Sequence, residues 1–322
     1  MTSIAIILPA FNEETTIAET IKSFSSQIPN AKIFVIDNNS NDKTAEVTKR
    51  TFQNLKIRGR GNLLYEGKQG KAAAIRRSFL EIDADIYVIS DADMTYPADR
   101  IKDLINPIIN NEADMVVGDR HSLGNYRKNN KRSFHNFGNF IVNTFVNVFF
   151  DAKISDVMSG YRALSREFVE NYPILVEGFQ IETDLTLFAL DKGYRIKEVP
   201  ISYNERPANS FSKLSTFKDG AKVLFIIFHT LRFYKPLLFF SYISAALFIL
   251  SMCTSAPVIN EFILTSAIRH VPLAILSAAI MILSMIAIAI GLILDSIKHQ
   301  NKINFELRII DFWRNKKING RR

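Results

Sequence analysis

The chain has 322 residues, and its 40 Lys plus Arg against 32 Asp plus Glu give a formal net charge of +8. This length suits one large domain with an appendage, or two ordinary domains. The single cysteine, Cys253, excludes a disulfide framework and a thiolate metal site within this sequence. Basic residues are dense after residue 297, behind two apolar segments, which favours a membrane flank over a nucleic-acid surface. Nucleic acid is not expected as a partner, because basic residues are not interleaved with aromatics on a soluble face.

Residues 1 to about 120 alternate short β-branched segments with helical patterns. The periodicity predicts strands at residues 3–8, 32–36, 85–90 and 113–117. It predicts helices at residues 13–26, 43–52, 71–81 and 97–111. This order is typical of an α/β fold, a mostly parallel sheet with helices on both faces. In such sheets, ligands bind beyond the carboxyl ends of the strands.

The tripeptide Asp-Ala-Asp occurs twice, once on each side of the strand predicted at residues 85–90. Asp83 and Asp85 lie where the strand begins, at the edge away from a ligand, and are interpreted as helix-to-strand loop residues. Asp91 and Asp93 follow the strand at the ligand edge, where they could hold a cation and a phosphate. Position, not the tripeptide itself, selects Asp91 and Asp93 as functional candidates.

Polar residues also follow the first two strands. Strand one leads into Pro9, Phe11, Asn12 and Glu13, where a helix is predicted, and helix capping alone would explain Glu13. Asp37 ends strand two, a position from which an acid commonly contacts a nucleotide ribose or base.

The phosphate-binding glycine motifs are absent from these stretches. No G-x-G-x-x-G follows strand one, so a Rossmann dinucleotide site is not predicted, and "EGKQGKA" at residues 66–72 lacks the P-loop spacing. Lys68 and Lys71 could contact donor phosphates, or they could be solvated lysines at a helix start.

Beyond residue 120 the pattern is less regular. It predicts helices at residues 134–150 and 182–192 and a strand at 195–199, with "DVMSGYRALS" forming a loop and a strand. The α/β domain is therefore expected to span residues 1–216. Glu182 could face a ligand or cap its helix.

The C-terminal third is predicted to be a membrane anchor. Residues 217–235 mix apolar and basic side chains, which favours a helix in the membrane interface over a buried core helix. Residues 236–260 and 271–294 carry no charge, and each is long enough for the roughly 20 residues that a bilayer core requires. Basic outer flanks, including a tail at residues 295–322, place the α/β domain and both termini in the cytoplasm by the positive-inside rule. Uncharged spans of this kind anchor a chain and do not form a transport path.

Several ordered motifs narrow the function. "LPAFNEE", "VIDNNSND", "GKQGKA" and "SDADMTYP" together resemble the nucleotide-sugar-binding half of family 2 glycosyltransferases, which have the Rossmann-like GT-A fold. "VVGDRHS", "ISDVMSGYRALS" and "RPANSFSKLST" look like those of the polyprenyl-phosphate sugar synthases, the group that contains dolichol-phosphate mannose synthase and the bactoprenol glucosyltransferases. The resemblance covers residues 1 to about 217, and the two apolar segments look like the anchor of the bacterial members.

The resemblance implies a role for each matching residue. Binding of the nucleotide sugar would fall to Pro9, Phe11, Asn12, Glu13, Asp37, Lys68, Asp91 and Arg120. Binding of the acceptor phosphate would fall to Arg132, Arg206, Ser212 and Lys213, although the usual glycine before "SKL" is Ser210 or Phe211 here. A divalent cation, Mg²⁺ or Mn²⁺, would be held by Asp91 and Asp93, with Thr95 as a third candidate where some relatives have Gln. Catalysis would involve Asp156, Asp93, Arg206 and Lys213.

These roles imply an inverting, metal-dependent glycosyltransferase of the inner (plasma) membrane, which moves a hexose from a nucleotide-diphosphate sugar to undecaprenyl or dolichyl phosphate. UDP-glucose is slightly favoured as the donor, and GDP-mannose and UDP-N-acetylglucosamine are the alternatives. A homo-oligomer is also compatible with the resemblance. The acceptor phosphate, with a second pKa of about 6, needs no strong base. Asp156 could orient it, remove its last proton or stabilise the sugar cation.

Two alternatives remain. A processive polysaccharide synthase would carry Q-x-x-R-W, but the only tryptophan, Trp313, lies past the second apolar segment. An inactive membrane-tethered scaffold would need neither the acidic residues nor Lys213.

Overall fold

The computed structural model describes residues 2–57, 59–123, 133–174, 181–204, 227–228 and 230–319, without the side chains of 133–137 and 315–319. The chain divides into two compact units, Met1–Val223 and Leu224–Arg322. A seven-stranded sheet lies in the first unit, and two long apolar helices lie in the second.

The strands of the sheet are β1 (Ile4–Ala10), β2 (Lys32–Asp37), β3 (Gly61–Tyr65), β4 (Ile86–Ile89), β5 (Met115–Asp119), β6 (Arg162–Ser165) and β7 (Ile196–Pro200). The helices of the first unit are α1 (Ile17–Gln27), α2 (Thr44–Asn54), α3 (Lys71–Glu81), α4 (Ile101–Ile109), α5 (Ser133–Phe150), α6 (Arg166–Asn171) and α7 (Ile181–Lys192). A 3₁₀ turn, Ala98–Arg100, leads into α4. The helices of the second unit are α8 (Pro236–Thr265) and α9 (Val271–Asn319).

The strand order is β3-β2-β1-β4-β6-β5-β7. β6 runs antiparallel to both of its neighbours, and every other pairing is parallel. The carboxyl ends of β1, β2, β4 and β5 therefore meet at one edge of the sheet, which we call the ligand edge. Because β6 is reversed, the chain enters it from that same edge.

The sheet forms because its central strands are almost continuous apolar segments. All four residues of β4 and all five of β5 are buried, as expected for strands covered by helices on both faces. One face of α1 supplies Ile17, Ile21 and Phe24 to the same core. The predicted fold class, a mostly parallel sheet with helices on both faces, is confirmed.

Two details differ from the sequence-based expectation. Strand β3 was not predicted, because its residues are only partly buried and carry no alternating pattern. Helix α1 begins at Ile17 and not at residue 13, because Asn12 adopts a left-handed φ of 54° and residues 14–16 form a turn.

In the second unit, α8 and α9 are each long and apolar enough to cross a membrane. The Ser244 hydroxyl donates to the Ser284 carbonyl, and the Ser284 hydroxyl donates to the Ser244 carbonyl, both at 2.9 Å. Helix α9 continues for 49 residues to Asn319, so the predicted basic tail is largely an extension of this helix. Most of the predicted interfacial helix, residues 217–235, lies outside the described residues, although residues 230–234 are helical.

Candidate functional site

The loops after β1 and β2 are tied together at the ligand edge. The backbone N–H of Asn12 donates to the Ser40 hydroxyl at 3.0 Å. The side-chain oxygen of Asn12 accepts from the backbone N–H of Asn41 at 2.8 Å. Asp37 is buried, and its carboxylate accepts from the Ser40 amide at 3.1 Å. Pro9 lies beside Ile36 in the parallel pairing. This part of the edge is thus fixed before any ligand arrives.

Asn38 holds the loop before α3 through two hydrogen bonds. The sequence pattern did not indicate this residue. The side-chain nitrogen of Asn38 donates to the backbone carbonyl of Lys68 at 2.7 Å, and its side-chain oxygen accepts from the backbone N–H of Gly70 at 2.7 Å. Gly70 precedes α3 with a φ of 131°, which suits a residue without a Cβ. The loop that carries Lys68 therefore reaches the ligand edge in one defined position.

Three charged side chains from three elements meet at the end of β4. The Lys71 ammonium, at the start of α3, lies 2.5 Å from an Asp91 oxygen and 2.5 Å from a Glu182 oxygen of α7. Burial disfavours the ammonium, but the carboxylates of Asp91 and Glu182 outweigh it and raise the pKa of Lys71 above its ordinary value. Lys71 is thus a fixed positive charge beside a partly exposed carboxylate.

Gly160 packs directly against this ion pair. A Cβ at residue 160 would lie 2.8 Å from the Lys71 ammonium and 3.2 and 3.3 Å from the two Asp91 carboxylate oxygens. The Gly160 amide donates to the buried Tyr96 hydroxyl at 2.8 Å. A glycine is therefore required here by close approach, and its place in "DVMSG" was the only sequence signal.

Asp93 is almost fully buried, at 2% exposure. One of its oxygens accepts from the Thr95 hydroxyl at 2.6 Å and from the Thr95 amide at 3.1 Å. Met94, between them, has a left-handed φ of 64°, so the turn carrying Asp93 is constrained. Thr95, a candidate cation ligand in the sequence analysis, orients Asp93 in this structure.

The carboxylates at the end of β4 fit a cation that is shared with a phosphorylated ligand. Among the described residues, no group of three or more His, Cys, Asp or Glu could enclose a metal ion by itself. Mg²⁺ is commonly held by one or two carboxylates, with substrate phosphates and water supplying the remaining oxygens. Asp91 and Asp93, two residues apart on one turn, match that donor set.

Arg120 and Asp156 form a buried pair beyond the end of β5. The Arg120 Nε and Nη2 donate to the two Asp156 oxygens at 2.7 and 2.8 Å, and the Arg120 amide adds a third hydrogen bond at 3.1 Å. The burial of Asp156 opposes ionisation, but the Arg120 charge and hydrogen bonds outweigh it and hold the pKa of this carboxyl below its usual range. The Arg120 guanidinium also lies 5.7 Å from the centre of the Tyr203 ring. Asp156 is therefore a permanent anion and a weak base.

The remaining predicted site residues divide into three groups. Phe11 and Glu13 follow β1 at the ligand edge, and the Glu13 amide donates to the Thr44 hydroxyl at 2.8 Å. Lys68 is exposed on its loop. Four predicted acceptor residues lie outside the described residues: Arg132, Arg206, Ser212 and Lys213.

The first Asp-Ala-Asp has a structural role, as its position predicts. Asp83 forms an ion pair with Arg166 at 2.5 Å. Asp85 accepts from the amide and hydroxyl of Ser3 at 2.8 and 2.9 Å. Both contacts join the amino-terminal ends of β1 and β4 to the start of α6, at the edge opposite to Asp91 and Asp93.

Two further charged residues near Asp156 were not selected from the sequence. Arg162, in β6, is fully buried, and Glu198, in β7, is partly buried. The signal for Arg162 was a lone charge inside an otherwise apolar strand pattern, "YRALS". Glu198 follows Lys197 in β7 and looks like one of two ordinary charged strand residues, so it gave no signal.

Comparison with known proteins agrees with this geometry. Glycosyltransferase AglJ of Haloferax volcanii is 26% identical over 296 residues, which are 92% of this chain and 93% of that protein. Dolichyl-phosphate hexose transferase of the same organism is 25% identical over 220 residues, 68% of this chain and 90% of that protein.

A solved structure shares the fold. Glucosyl-3-phosphoglycerate synthase from Mycobacterium tuberculosis, in complex with Mn²⁺, UDP and glucosyl-3-phosphoglycerate, superposes with a TM-score of 0.54 at 20% identity. The match covers 72% of this chain and 79% of that one, and identity this low shows the fold alone. Residues 5–172, just over half of the chain, match the family model described as Glycosyl transferase family 2. The chain belongs to glycosyl transferase family 2.

Proposed function

We propose that this glycosyltransferase moves a hexose from a nucleotide-diphosphate sugar to a polyprenyl phosphate, and that it requires a divalent cation. One observation carries the proposal. At the ligand edge, Asp37, Asp91 and Asp93 lie on one side and the Arg120–Asp156 pair on the other, joined by the chain from Asp156 to Gly160. This arrangement offers a donor side and an acceptor side on one rigid sheet.

The donor side suits a nucleoside diphosphate. Asp37 would accept hydrogen bonds from a ribose or base, and Pro9 and Asn12 border the same loop. Asp91 and Asp93 would hold Mg²⁺ or Mn²⁺, with Thr95 fixing the Asp93 carboxylate. A bound divalent ion neutralises negative charge on a departing diphosphate without any proton transfer. Lys71 adds a fixed positive charge beside Asp91.

The acceptor side suits a phosphate that is already ionised. A phosphate monoester has a second pKa of about 6, whereas the pKa of Asp156 is held below its ordinary 3.8. Moving the last phosphate proton to Asp156 would therefore cost at least about 3 kcal/mol. Of the three roles expected for Asp156, proton removal is therefore the least supported. The contacts of Asp156 favour a fourth role, the orientation of Arg120.

The reaction then follows as a direct displacement. A phosphate oxygen of the lipid attacks the anomeric carbon, and the bond from that carbon to the nucleoside diphosphate breaks with its electron pair on the diphosphate oxygen. Arg120, oriented by Asp156, would reduce repulsion between the two phosphates, and Arg132, Arg206, Ser212 and Lys213 would take part as the resemblance implies. Displacement from the opposite face inverts the configuration, which gives a β-linked sugar from an α-linked donor.

A lipid acceptor agrees with the second unit. Helices α8 and α9 could cross a membrane, and the positive-inside rule puts the glycosyltransferase unit and both termini in the cytoplasm. A relative over two thirds of this chain is named a dolichyl-phosphate hexose transferase. We therefore assign the enzyme to the inner (plasma) membrane, with UDP-glucose slightly favoured over GDP-mannose and UDP-N-acetylglucosamine.

The test is a donor screen on the full-length protein in membranes. Radiolabelled UDP-glucose, GDP-mannose and UDP-N-acetylglucosamine are each incubated with undecaprenyl phosphate, with Mg²⁺, with Mn²⁺ or with EDTA, and the extracted lipid is analysed. We expect label in the lipid from one donor, dependent on the cation. If no donor labels the lipid under any of these conditions, the proposal is wrong and an inactive scaffold becomes the better account.

A further inference from the structure

The loop from Ser155 to Gly160 joins the two sides of the proposed site, and a carboxylate holds it from one side. One Glu198 oxygen accepts from the amides of Ser155 and Asp156, each at 2.9 Å, and the other oxygen lies 2.9 Å from the Ser155 amide. Glu198 thus binds the amino-terminal end of the loop through its N–H groups.

A guanidinium holds the same loop through its carbonyl groups. The Arg162 Nη2 donates to the Val157 carbonyl at 2.7 Å, and Nε donates to the Ser159 carbonyl at 2.8 Å. A third donor, Nη1, reaches the Thr186 hydroxyl of α7 at 2.8 Å. Within the part of the chain that the structure describes, no carboxylate lies within ion-pair distance of Arg162. Its direct hydrogen-bond partners on the loop are backbone carbonyls, while the carboxylates of Glu182 and Asp156 act on its charge from further away.

Burial opposes the charge of both groups. Burial lowers the pKa of Arg162 to about 10, and burial raises the pKa of Glu198 above its ordinary value. Each shift means that the folded protein disfavours the charged form of the group. Buried ion pairs can often be replaced by apolar residues without loss of stability, so buried charge is weak evidence of a stabilising role. Two such charges around one loop of six residues therefore point to a functional requirement.

We propose that Arg162 and Glu198 are positioning residues of the glycosyl transfer, which together fix the backbone of residues 155–160. This inference rests on the proposed function. At one end of the loop they set Asp156, which orients Arg120 toward the acceptor side. At the other end they set Gly160, whose close approach fixes the Lys71–Asp91 pair on the donor side. Both residues would act through the loop, without contacting the substrate.

The distances explain why both charges are needed. On the loop backbone, Glu198 accepts from N–H groups and Arg162 donates to C=O groups, so neither can replace the other. Asn143 supports the same loop, through its side-chain oxygen on the Val157 amide at 3.2 Å. A misplacement of about 1 Å at a reacting centre can cost roughly 100-fold in rate. Because this loop joins the donor side to the acceptor side, a shift of its backbone would misplace residues on both sides.

The test uses Glu198→Gln and Arg162→Lys in the full-length enzyme, with two matched controls. Glu112→Gln and Arg195→Lys make the same changes in exposed ion pairs, Glu112 with Lys197 and Arg195 with Asp114. We expect Glu198→Gln and Arg162→Lys to lower kcat at least about 10-fold, with KM for the nucleotide sugar within about 3-fold of wild type. The melting temperature of Glu198→Gln should stay at or above that of wild type. Both controls should keep wild-type kcat.

Hydrogen exchange measured by mass spectrometry gives a readout that does not depend on activity. We expect faster amide exchange in a peptide covering residues 155–160 for Glu198→Gln than for Glu112→Gln. If Glu198→Gln and Arg162→Lys match their controls in kcat, or lose kcat only in proportion to unfolded protein, the inference is wrong while the proposed function stands. If the wild-type enzyme labels no lipid from any donor, both are wrong.

Discussion

Replacing Gly160 by alanine tests the contact that joins the loop to the donor side. The new Cβ would lie 2.8 Å from the Lys71 ammonium and 3.2 Å from the nearer Asp91 oxygen. The φ angle of Gly160 is not in the left-handed region, so alanine brings no backbone strain. The ammonium cannot simply withdraw, because it is held at 2.5 Å by both Asp91 and Glu182.

The size of the effect follows from the distances. Ordinary contact begins at 3.4 Å, so the Lys71 ammonium and the Cβ must separate by about 0.6 Å more. Since about 1 Å of misplacement costs roughly 100-fold in rate, a shift of this size predicts a loss of about 10-fold in kcat, or about 1.4 kcal/mol of activation free energy. The Lys71 ammonium must shift together with its two carboxylate partners, and we expect a cost to folding of about 1 kcal/mol, at the low end for overpacking. The melting temperature would fall by about 2–4 °C.

The assay is steady-state transfer of labelled hexose to undecaprenyl phosphate, with thermal unfolding followed by circular dichroism. Gly67→Ala is the matched control, because its Cβ would meet only the Tyr65 ring, at 3.6 Å. Wild-type kcat in Gly160→Ala would refute the reasoning. So would an equal loss of kcat in Gly67→Ala, because no comparable contact exists there.

Three further substitutions have distinct expected outcomes. Asp93→Asn should abolish the stimulation of transfer by Mn²⁺, measured as the ratio of rates with Mn²⁺ and with EDTA; an unchanged ratio would contradict the cation assignment. Asp156 has a lowered pKa, so its carboxylate stabilises the fold above the unfolded pKa and loses this effect as the pH falls through the folded one. Asp156→Asn should therefore lower the melting temperature at pH 7, and the difference from wild type should narrow as the pH falls below the ordinary carboxyl pKa of 3.8; a difference that does not change with pH would contradict the Arg120 pairing. Asp83→Asn should keep wild-type kcat, because Asp83 is exposed and contacts Arg166 only at the far edge; a large loss would contradict that role.

The sequence was sufficient to locate the ligand edge. Continuous β-branched segments predicted the buried strands, and their direction placed Asp91 and Asp83 at opposite edges of the sheet, as the structure has them. Both predictions depend on local features: which residues are apolar, and at which end of a strand a polar residue lies. Such features are fully contained in short stretches of sequence.

What the sequence could not supply was the reversal of β6. In a fully parallel sheet, site residues follow strands, whereas here Asp156 and Gly160 precede one and still reach the ligand edge. The meeting of Lys71 with Glu182 likewise depends on the packing of α7, far along the chain. Pairings between distant elements leave no periodicity in either segment, so they become visible only in the folded protein.

Helix α9 has a mechanical consequence of its own. At about 1.5 Å per residue, its 49 residues make a rod of about 73 Å, more than twice the roughly 30 Å of a bilayer core. Each residue added to such a rod turns everything beyond it by about 100° while lengthening it by only about 1.5 Å. A one-residue insertion after Leu294 would thus leave the reach of the rod almost unchanged and point its far side chains in a new direction. The number of residues in the unbroken helix therefore determines the direction in which its distal side chains point far more strictly than it determines the length of the helix.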